Sequence, residues 1–296
     1  GATLQASQKV NWQVDDIIGG EHHLEFKRNF LPESLARTHQ LRFLDGEEKR
    51  VLNQIRARGY LYMFGLVEEF ILPFVLDHVR QHLAQDDLRT RAYLQFAGEE
   101  AKHIHLFKRF AEAFDSGFKT PCELIGPPQD IAAAVLAQDP LSVALLILHI
   151  EWMTQRHYID SVKDDSLIDP LFKSLLKHHW MEEAQHAKLD TLMVLELAKE
   201  RSPESIAAAI EGYLALGGTF DACLAQQTKF DMQTLARATR RVLGEAEQGM
   251  FLQEQHQAQR WTFIGSGMGH PNFLDTVRTI APGAEEKLAQ VVPAFS

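Results

Sequence analysis

Cysteine is almost missing from this chain. Cys122 and Cys223 are the only two in 296 residues. Two thiols make neither a disulfide framework nor a four-thiolate zinc site, and a reducing cytoplasm is the expected compartment. Glycine (18) and proline (11) are also sparse, which disfavours a turn-rich β fold and favours helices. Positive charge is in deficit: Lys and Arg total 30 against 40 Asp and Glu, a net charge of -10. Such a chain has no electrostatic case for binding nucleic acid or an anionic membrane. No unbroken apolar run reaches the roughly 18 residues of a membrane span. The nearest candidates are interrupted by Glu68, Glu69, His149 and Glu151, and residues 2–15 are too polar for a secretory leader. Hydrophobic residues nonetheless make up 45% of the chain, enough to bury a large core.

Charged residues placed inside apolar stretches are therefore the first lead. The punctuation around them is helical. Asp45 and Glu48 form a capping-box pattern, and Asp139-Pro140, Asp169-Pro170 and Ser202-Pro203 each set an N-cap residue before a first-turn proline. Four long helices are expected over about 47–83, 88–114, 141–163 and 171–199, with Asp86-Asp87 opening the second. Two further helices are expected over about 204–228 and 231–261. Pro73 should kink the first helix, because it cannot bond the carbonyl of Glu69. Residues 115–139 carry three prolines and two glycines; their length suits a crossover rather than a tight turn, with a short helix at 131–137. The expected architecture is all-α: a four-helix bundle over about 47–199 with a C-terminal helical extension over about 204–296, in one domain spanning 1–296. The first 40 residues and the tail after Gly265 show weak periodicity, and the glycine-rich stretch 265–269 reads as a loop.

One pentapeptide pattern occurs twice, as Glu99-Glu100-Ala101-Lys102-His103 and Glu182-Glu183-Ala184-Gln185-His186. A lone Glu-x-x-His is expected by chance in so Glu- and His-rich a chain; two copies with shared neighbours, each on an apolar stripe, are not. Residues three or four apart share a helix face. Glu100 and His103 lie with Tyr93, Phe96, Phe107, Phe110 and Phe114, and Glu183 and His186 with Phe172, Leu176 and His179. These stripes face the core, where an unpaired carboxylate is costly. Glu151 sits in the apolar run 145–153. In the first helix Glu68 shares the face of Leu61, Phe64, Ile71 and Val75, whereas Glu69 lies with Arg58 and Arg80 and reads as solvated. Glu68 precedes Glu100 by 32 residues, and Glu151 precedes Glu183 by the same interval, which implies two pseudo-symmetric helix pairs.

The resulting order, Glu, Glu-x-x-His, Glu, Glu-x-x-His, is the inward ligand set of di-iron and di-manganese carboxylate bundles. Four carboxylates balance two divalent cations, and two ions ~3.5–4 Å apart can take O2 between them. Carboxylate with imidazole suits iron, with manganese allowed in one or both positions. His179, four residues before Glu183 on the same face, is a seventh candidate that leaves the two positions inequivalent.

With that histidine the chain resembles the ferritin-like di-iron N-oxygenases of the p-aminobenzoate N-oxygenase type, whose fourth helix carries a third His before its Glu-x-x-His. The resemblance spans Glu68 to His186 and extends toward 260–263. It implies a ferritin-like bundle, seven ligands (Glu68, Glu100, His103, Glu151, His179, Glu183 and His186), two Fe ions and O2 as co-substrate. It also implies oxygenation of an amine nitrogen on a small-molecule substrate, the metal centre itself doing the chemistry. Electrons come from a reductase or from the substrate, and a monomer or homodimer is expected. Relatives often read Asp-Glu-x-Arg-His, whereas Lys102 and Gln185 stand here at the Arg position. Two alternatives stay open: a ligand-binding Fe/Fe or Mn/Fe oxidase of the ribonucleotide-reductase small-subunit-like type, and a ferritin-like storage or detoxification protein. Native mass separates the last, since a cage implies storage.

Other residues have plainer readings. Glu99 and Glu182 are either surface charges or outer partners of ligand histidines. Tyr62, Tyr93 and Tyr158 read as core aromatics, Arg91, Arg156 and Arg240 as surface cations, and Cys122 and Cys223 as inert thiols. His178 lies off the stripe, and neither His149 nor His157 is spaced to share the face of Glu151.

Overall fold

The computed structural model describes residues 10–80, 82–83 and 87–296; Asp86, expected with Asp87 at the start of the second helix, lies outside them. No strand occurs among the described residues, and helices of eight or more residues are numbered α1 to α9. Four long helices carry the core: α1 (Gly46–Arg80), α2 (Asp87–Phe118), α4 (Pro140–Arg156) and α5 (Pro170–Ala198). The expected caps form. Asp45 and Glu48 exchange backbone-to-carboxylate hydrogen bonds at 2.9 Å each way. Asp139 accepts from the Leu141 amide, Asp169 from that of Phe172, and Ser202 from that of Ser205. The proline after each of these caps has no amide hydrogen to leave unpaired.

α1 packs along α2 and α4 along α5, and α2 meets α5 across the bundle. The segment between the pairs crosses over and carries α3 (Pro128–Leu136), close to the short helix expected there. α1 runs unbroken through Pro73. By length and composition α1 could cross a membrane, with mean hydropathy 1.5 over its most apolar window. That window is 61% buried, and the helix carries Glu68 into the core, so its apolar character serves packing.

The C-terminal extension departs from expectation. In place of two helices meeting near 229–230, α6 (Pro203–Thr239) is continuous, and α7 (Glu245–Arg260) follows it. No glycine or proline interrupts 228–231. Asp231, expected to start a helix, instead accepts from Gln227 (2.8 Å) and Gln259 (3.0 Å) in the interior. The chain turns at Arg240, which adopts a left-handed conformation (φ 57). The glycine-rich stretch is not a loop either: 261–265 form a π-helical turn continued by the helix Ser266–Met268. A Cβ on Gly267 would lie 2.2 Å from the His149 ring, and one on Gly265 2.3 Å from the Phe295 carbonyl. These glycines let helices approach closely. The weakly periodic tail forms α8 (Pro271–Ile280) and α9 (Ala284–Val291). The second π-helical turn, His157–Val162, replaces the expected α-helical end of the third long helix.

The N-terminal segment straps the bundle. Asn53 accepts from the amides of Phe30 and Leu31 at 2.8 and 3.0 Å and donates to the Leu31 carbonyl. Asp169 accepts from the Glu25 amide at 2.9 Å. One continuous core joins strap, bundle and extension, from Trp12 to Leu288.

Candidate metal centre

All seven expected ligand side chains are buried at the bundle axis: Glu68, Glu100, His103, Glu151, His179, Glu183 and His186 are each at most 2% exposed. The stripes on α1, α2, α4 and α5 place them there. Two overlapping donor sets result, Glu68, His103, His179 and Glu183 on one side and Glu100, His103, Glu183 and His186 on the other, each with its donor atoms within 4.8 Å of one another. His179 Nε2 lies 2.6 Å from Glu183 Oε1 and 3.2 Å from Glu68 Oε1. His186 Nδ1 lies 2.9 Å from both Glu100 Oε1 and Glu183 Oε2. His103 Nδ1 lies 3.0 Å from Glu183 Oε1 and 3.4 Å from Glu100 Oε2. Glu151 falls outside both sets but stands against Glu183.

These contacts are close without being satisfied. His103 Nδ1, Glu68 Oε2, both oxygens of Glu100, Glu151 Oε2 and Glu183 Oε1 are buried and receive no aligned hydrogen bond. Buried polar atoms almost always find partners; six orphans converging on one centre mark a place shaped for cations.

The electrostatics agree. Burial, then Glu100, pushes Glu68 well above the usual carboxyl range, and burial, then Glu183, does the same to Glu151. Glu100 resists burial and is held to about 2 by His186. Burial disfavours charge on all three histidines, but contact with Glu183 and Glu100 overrides it at His103 and His186, which are raised. His179 stays lowered. Without cations, the crowding of like charges favours the protonated form at Glu68 and Glu151.

The outer partners are resolved. Glu182, fully buried, lies 2.9 Å from His103 Nε2 and also binds Lys102. Glu99, 4% exposed, lies 2.8 Å from His186 Nε2. Neither is a surface charge. Each fixes a ring so that Nδ1 faces the centre. Glu69, by contrast, faces outward toward Lys108, and half-buried His178 bonds the Ser174 carbonyl.

Three features escaped the sequence reading. Asp190 is buried with neither carboxylate oxygen bonded, and its carboxyl is raised by burial despite nearby His186; its place four residues beyond His186 on the stripe was the available signal. Trp12 stacks on the His103 ring with centroids 6.1 Å apart, and Lys102 lies over its indole. No local pattern could announce a strap residue. His149 and His157 are buried in polar pairs, His149 with Tyr213 (2.7 Å) and His157 with Tyr60 and Ser266 (3.0 Å each).

A cavity of about 400 Å³ lies beside the centre, between α1, α3, α4 and α6. Its walls are mainly apolar, including Phe64, Val67, Ile150 and Phe263. Phe64 also sets its edge against His179, with centroids 5.3 Å apart. The remaining candidates read as expected. Tyr62 bonds the Ile125 carbonyl, Tyr158 stacks on Trp180 and Tyr93 points at the Leu189 carbonyl. Arg91 and Arg240 are exposed, while Arg156 is tucked over the Trp261 ring. Burial raises both thiols, Cys122 to about 12.

No protein-family model matches the chain, and no curated protein matches its sequence. Among solved structures it is similar to R2-like ligand-binding oxidases. One tyrosine-to-phenylalanine variant with an aerobically reconstituted Mn/Fe cofactor superposes with a TM-score of 0.45 at 15% identity, over 87% of this chain and 92% of that one. A glutamate-to-aspartate variant with the same cofactor gives 0.45 at 14%, over 88% and 93%. A glycine-to-leucine variant with a Mn/Mn cofactor gives 0.43 at 14%, over 88% and 92%. At these levels shared chemistry does not follow, and the site must be judged on its own side chains.

Proposed function

We propose that the chain is an O2-activating dinuclear iron oxygenase that oxidises a small organic substrate, with an amine nitrogen as the target. The observation that carries this reading is the convergence of unbonded, buried carboxylate and imidazole donors from four helices. The donor set fits two divalent ions in charge and in kind: four carboxylates, three imidazoles and no thiolate. Glu68, His103 and His179 would hold one ion, Glu100, Glu151 and His186 the other, and Glu183 lies between them. Held there, two iron ions would supply electrons and open coordination positions for activating O2.

The chain's own residues do the rest. Glu182 and Glu99 hold the His103 and His186 rings with Nδ1 inward. The cavity walls exclude water and orient an apolar substrate body beside the centre, and its volume suits a small molecule. Phe64 separates His179 from that space. An external electron donor, a monomeric or dimeric state and a cytoplasmic setting belong to the same proposal. A mixed Mn/Fe oxidase is the second reading. The paired Glu-x-x-His motifs suit it equally, but it does not call for His179.

The test begins with iron counting after anaerobic loading, expected to give two Fe(II) per chain. O2 uptake is then followed with excess Fe(II) and, separately, with aryl and alkyl amines plus a reductant. Uptake that stalls without an amine, together with oxygenated amine products by mass spectrometry, supports the oxygenase. Sustained oxidation of the excess Fe(II) with no product would replace it with storage.

A further inference from the structure

A second cluster of metal-type donors lies away from the bundle centre. His78 is on the last turn of α1, His82 follows one helical turn later, and Glu196 is near the end of α5. One ligand atom from each lies within 4.8 Å of the others. Glu196 is ten residues beyond His186 and His78 ten beyond Glu68; at 1.5 Å per residue the cluster is ~15 Å along the bundle from the dinuclear centre. It shares no residue with that centre.

We propose that His78, His82 and Glu196 form a separate mononuclear site for a borderline divalent cation of the Zn(II) type. The distances favour a shared ion over hydrogen bonds. His78 Nε2 lies 3.5 Å from Glu196 Oε2, and His82 Nε2 lies 3.6 Å from Oε1. Both exceed the usual N–H···O range of ~2.7–3.2 Å. They match the ~3.4 Å separation of two donors around a tetrahedral ion with bonds of ~2.0–2.1 Å. His78 is 7% exposed, and its Nε2 is buried with no hydrogen-bond partner while aimed at the cluster. Two imidazoles and one carboxylate are a known set for zinc, leaving a fourth position for water. Glu196 is about one-third exposed, which gives the ion a way in.

The surroundings hold the donors in place. Tyr93 sets its ring edge against His78, with centroids 5.1 Å apart. The turn carrying His82 is pinned by its amide to the Val79 carbonyl (2.8 Å) and by Thr90 Oγ1 to its own carbonyl (3.3 Å). Burial lowers the His78 imidazole below its usual range, so it is neutral and able to ligate at pH 7. Arg89 also bonds Glu196 Oε1. Its positive charge competes with the cation and sets the affinity: the ion must take Oε2 or displace the guanidinium. A bound ion ties the end of α1 to the end of α5.

The experiment is equilibrium dialysis of the metal-free full chain against Zn(II), comparing wild type with His82→Ala and Arg89→Gln. His82 is near the surface, so its removal leaves the core intact, verified by circular dichroism and melting. The wild type should hold one more tightly bound Zn(II) than His82→Ala, with affinity lowered in that variant by more than the ~10–100-fold cost of losing an outer partner. Arg89→Gln should bind this ion more tightly. Zn(II) should raise the melting temperature more in wild type than in His82→Ala. Equal stoichiometry in wild type and His82→Ala overturns the proposal. Failure of the dinuclear reading would show separately, as an unchanged count in Glu183→Ala.

Discussion

The α1–α2 and α4–α5 halves of the bundle repeat the same ligand spacing yet differ at the positions around it. Each offers Glu and Glu-x-x-His at equal intervals, and each half's outer acid holds the other half's histidine: Glu182 on His103, Glu99 on His186. The halves are therefore cross-braced, and neither set of ligands is positioned alone. Seven residues before the motif histidine stands Phe96 in α2 but His179 in α5; four residues after it stand Phe107 and Asp190. Phe96 stacks on His186 at 4.1 Å and Phe107 meets His179 edge-on at 5.0 Å. Six residues past the first glutamate, Phe74 corresponds to His157. The repeated spacing gives the two halves like donors, and polar residues in one half make them unlike.

The comparison can be broken most severely at Glu183, which with His103 belongs to both sets. Glu183→Ala should release both ions and lower O2 uptake by more than ~100-fold, since loss of an outer partner alone costs ~10–100-fold; metal analysis and an oxygen electrode check it. Chelation tests the halves together. Four clustered carboxylates are relieved by cations, so removing metal should lower the melting temperature by roughly 10 °C, given ~4 kcal/mol at thousandfold saturation and ~2–4 °C per kcal/mol. His179→Phe copies the α2 half into α5. It should reduce bound metal toward about one ion per chain, because one position loses a nitrogen donor while the other keeps its own; unchanged stoichiometry would make His179 a packing residue.

Smaller effects sharpen the picture. Glu99→Gln and Glu182→Gln should each weaken metal binding ~10–100-fold, and similar losses in a calorimetric titration would confirm that cross-bracing is reciprocal. His157 has no titratable counterpart in the α1–α2 half. Burial lowers it from 6.5 to about 3. The unfolded chain therefore takes up its proton first, and stability is lost as pH falls from about 6.5 toward 3, at up to ~1.4 kcal/mol per pH unit. Denaturant melts at stepped pH should show that slope reduced in His157→Gln.

The helices were legible because their caps are local: Asp139, Asp169 and Ser202 bond amides two or three residues away. The ligands were legible because a costly charge on an apolar stripe needs a reason. The break between α6 and α7 lies about ten residues beyond the point the sequence suggests, because Asp231 is held inside the core by Gln259 of another helix rather than opening a helix. Glu99 and Glu182 stayed ambiguous for the same cause: their partners lie on the opposite helix. Helical spacing cannot report a residue whose significance comes from another element, which is why Trp12 and the His78–His82–Glu196 cluster went unnoticed.

By itself the sequence determined the all-α class, the two helix pairs and seven inward donors. Periodicity and spacing are properties of single helices, and burying charge costs too much to occur repeatedly without compensation. Only the tertiary structure decided how six of those donors divide into two overlapping sets with Glu151 outside them, which acids brace which rings, and where the cavity opens. Those are relations between helices, set by packing across distances that no local pattern encodes.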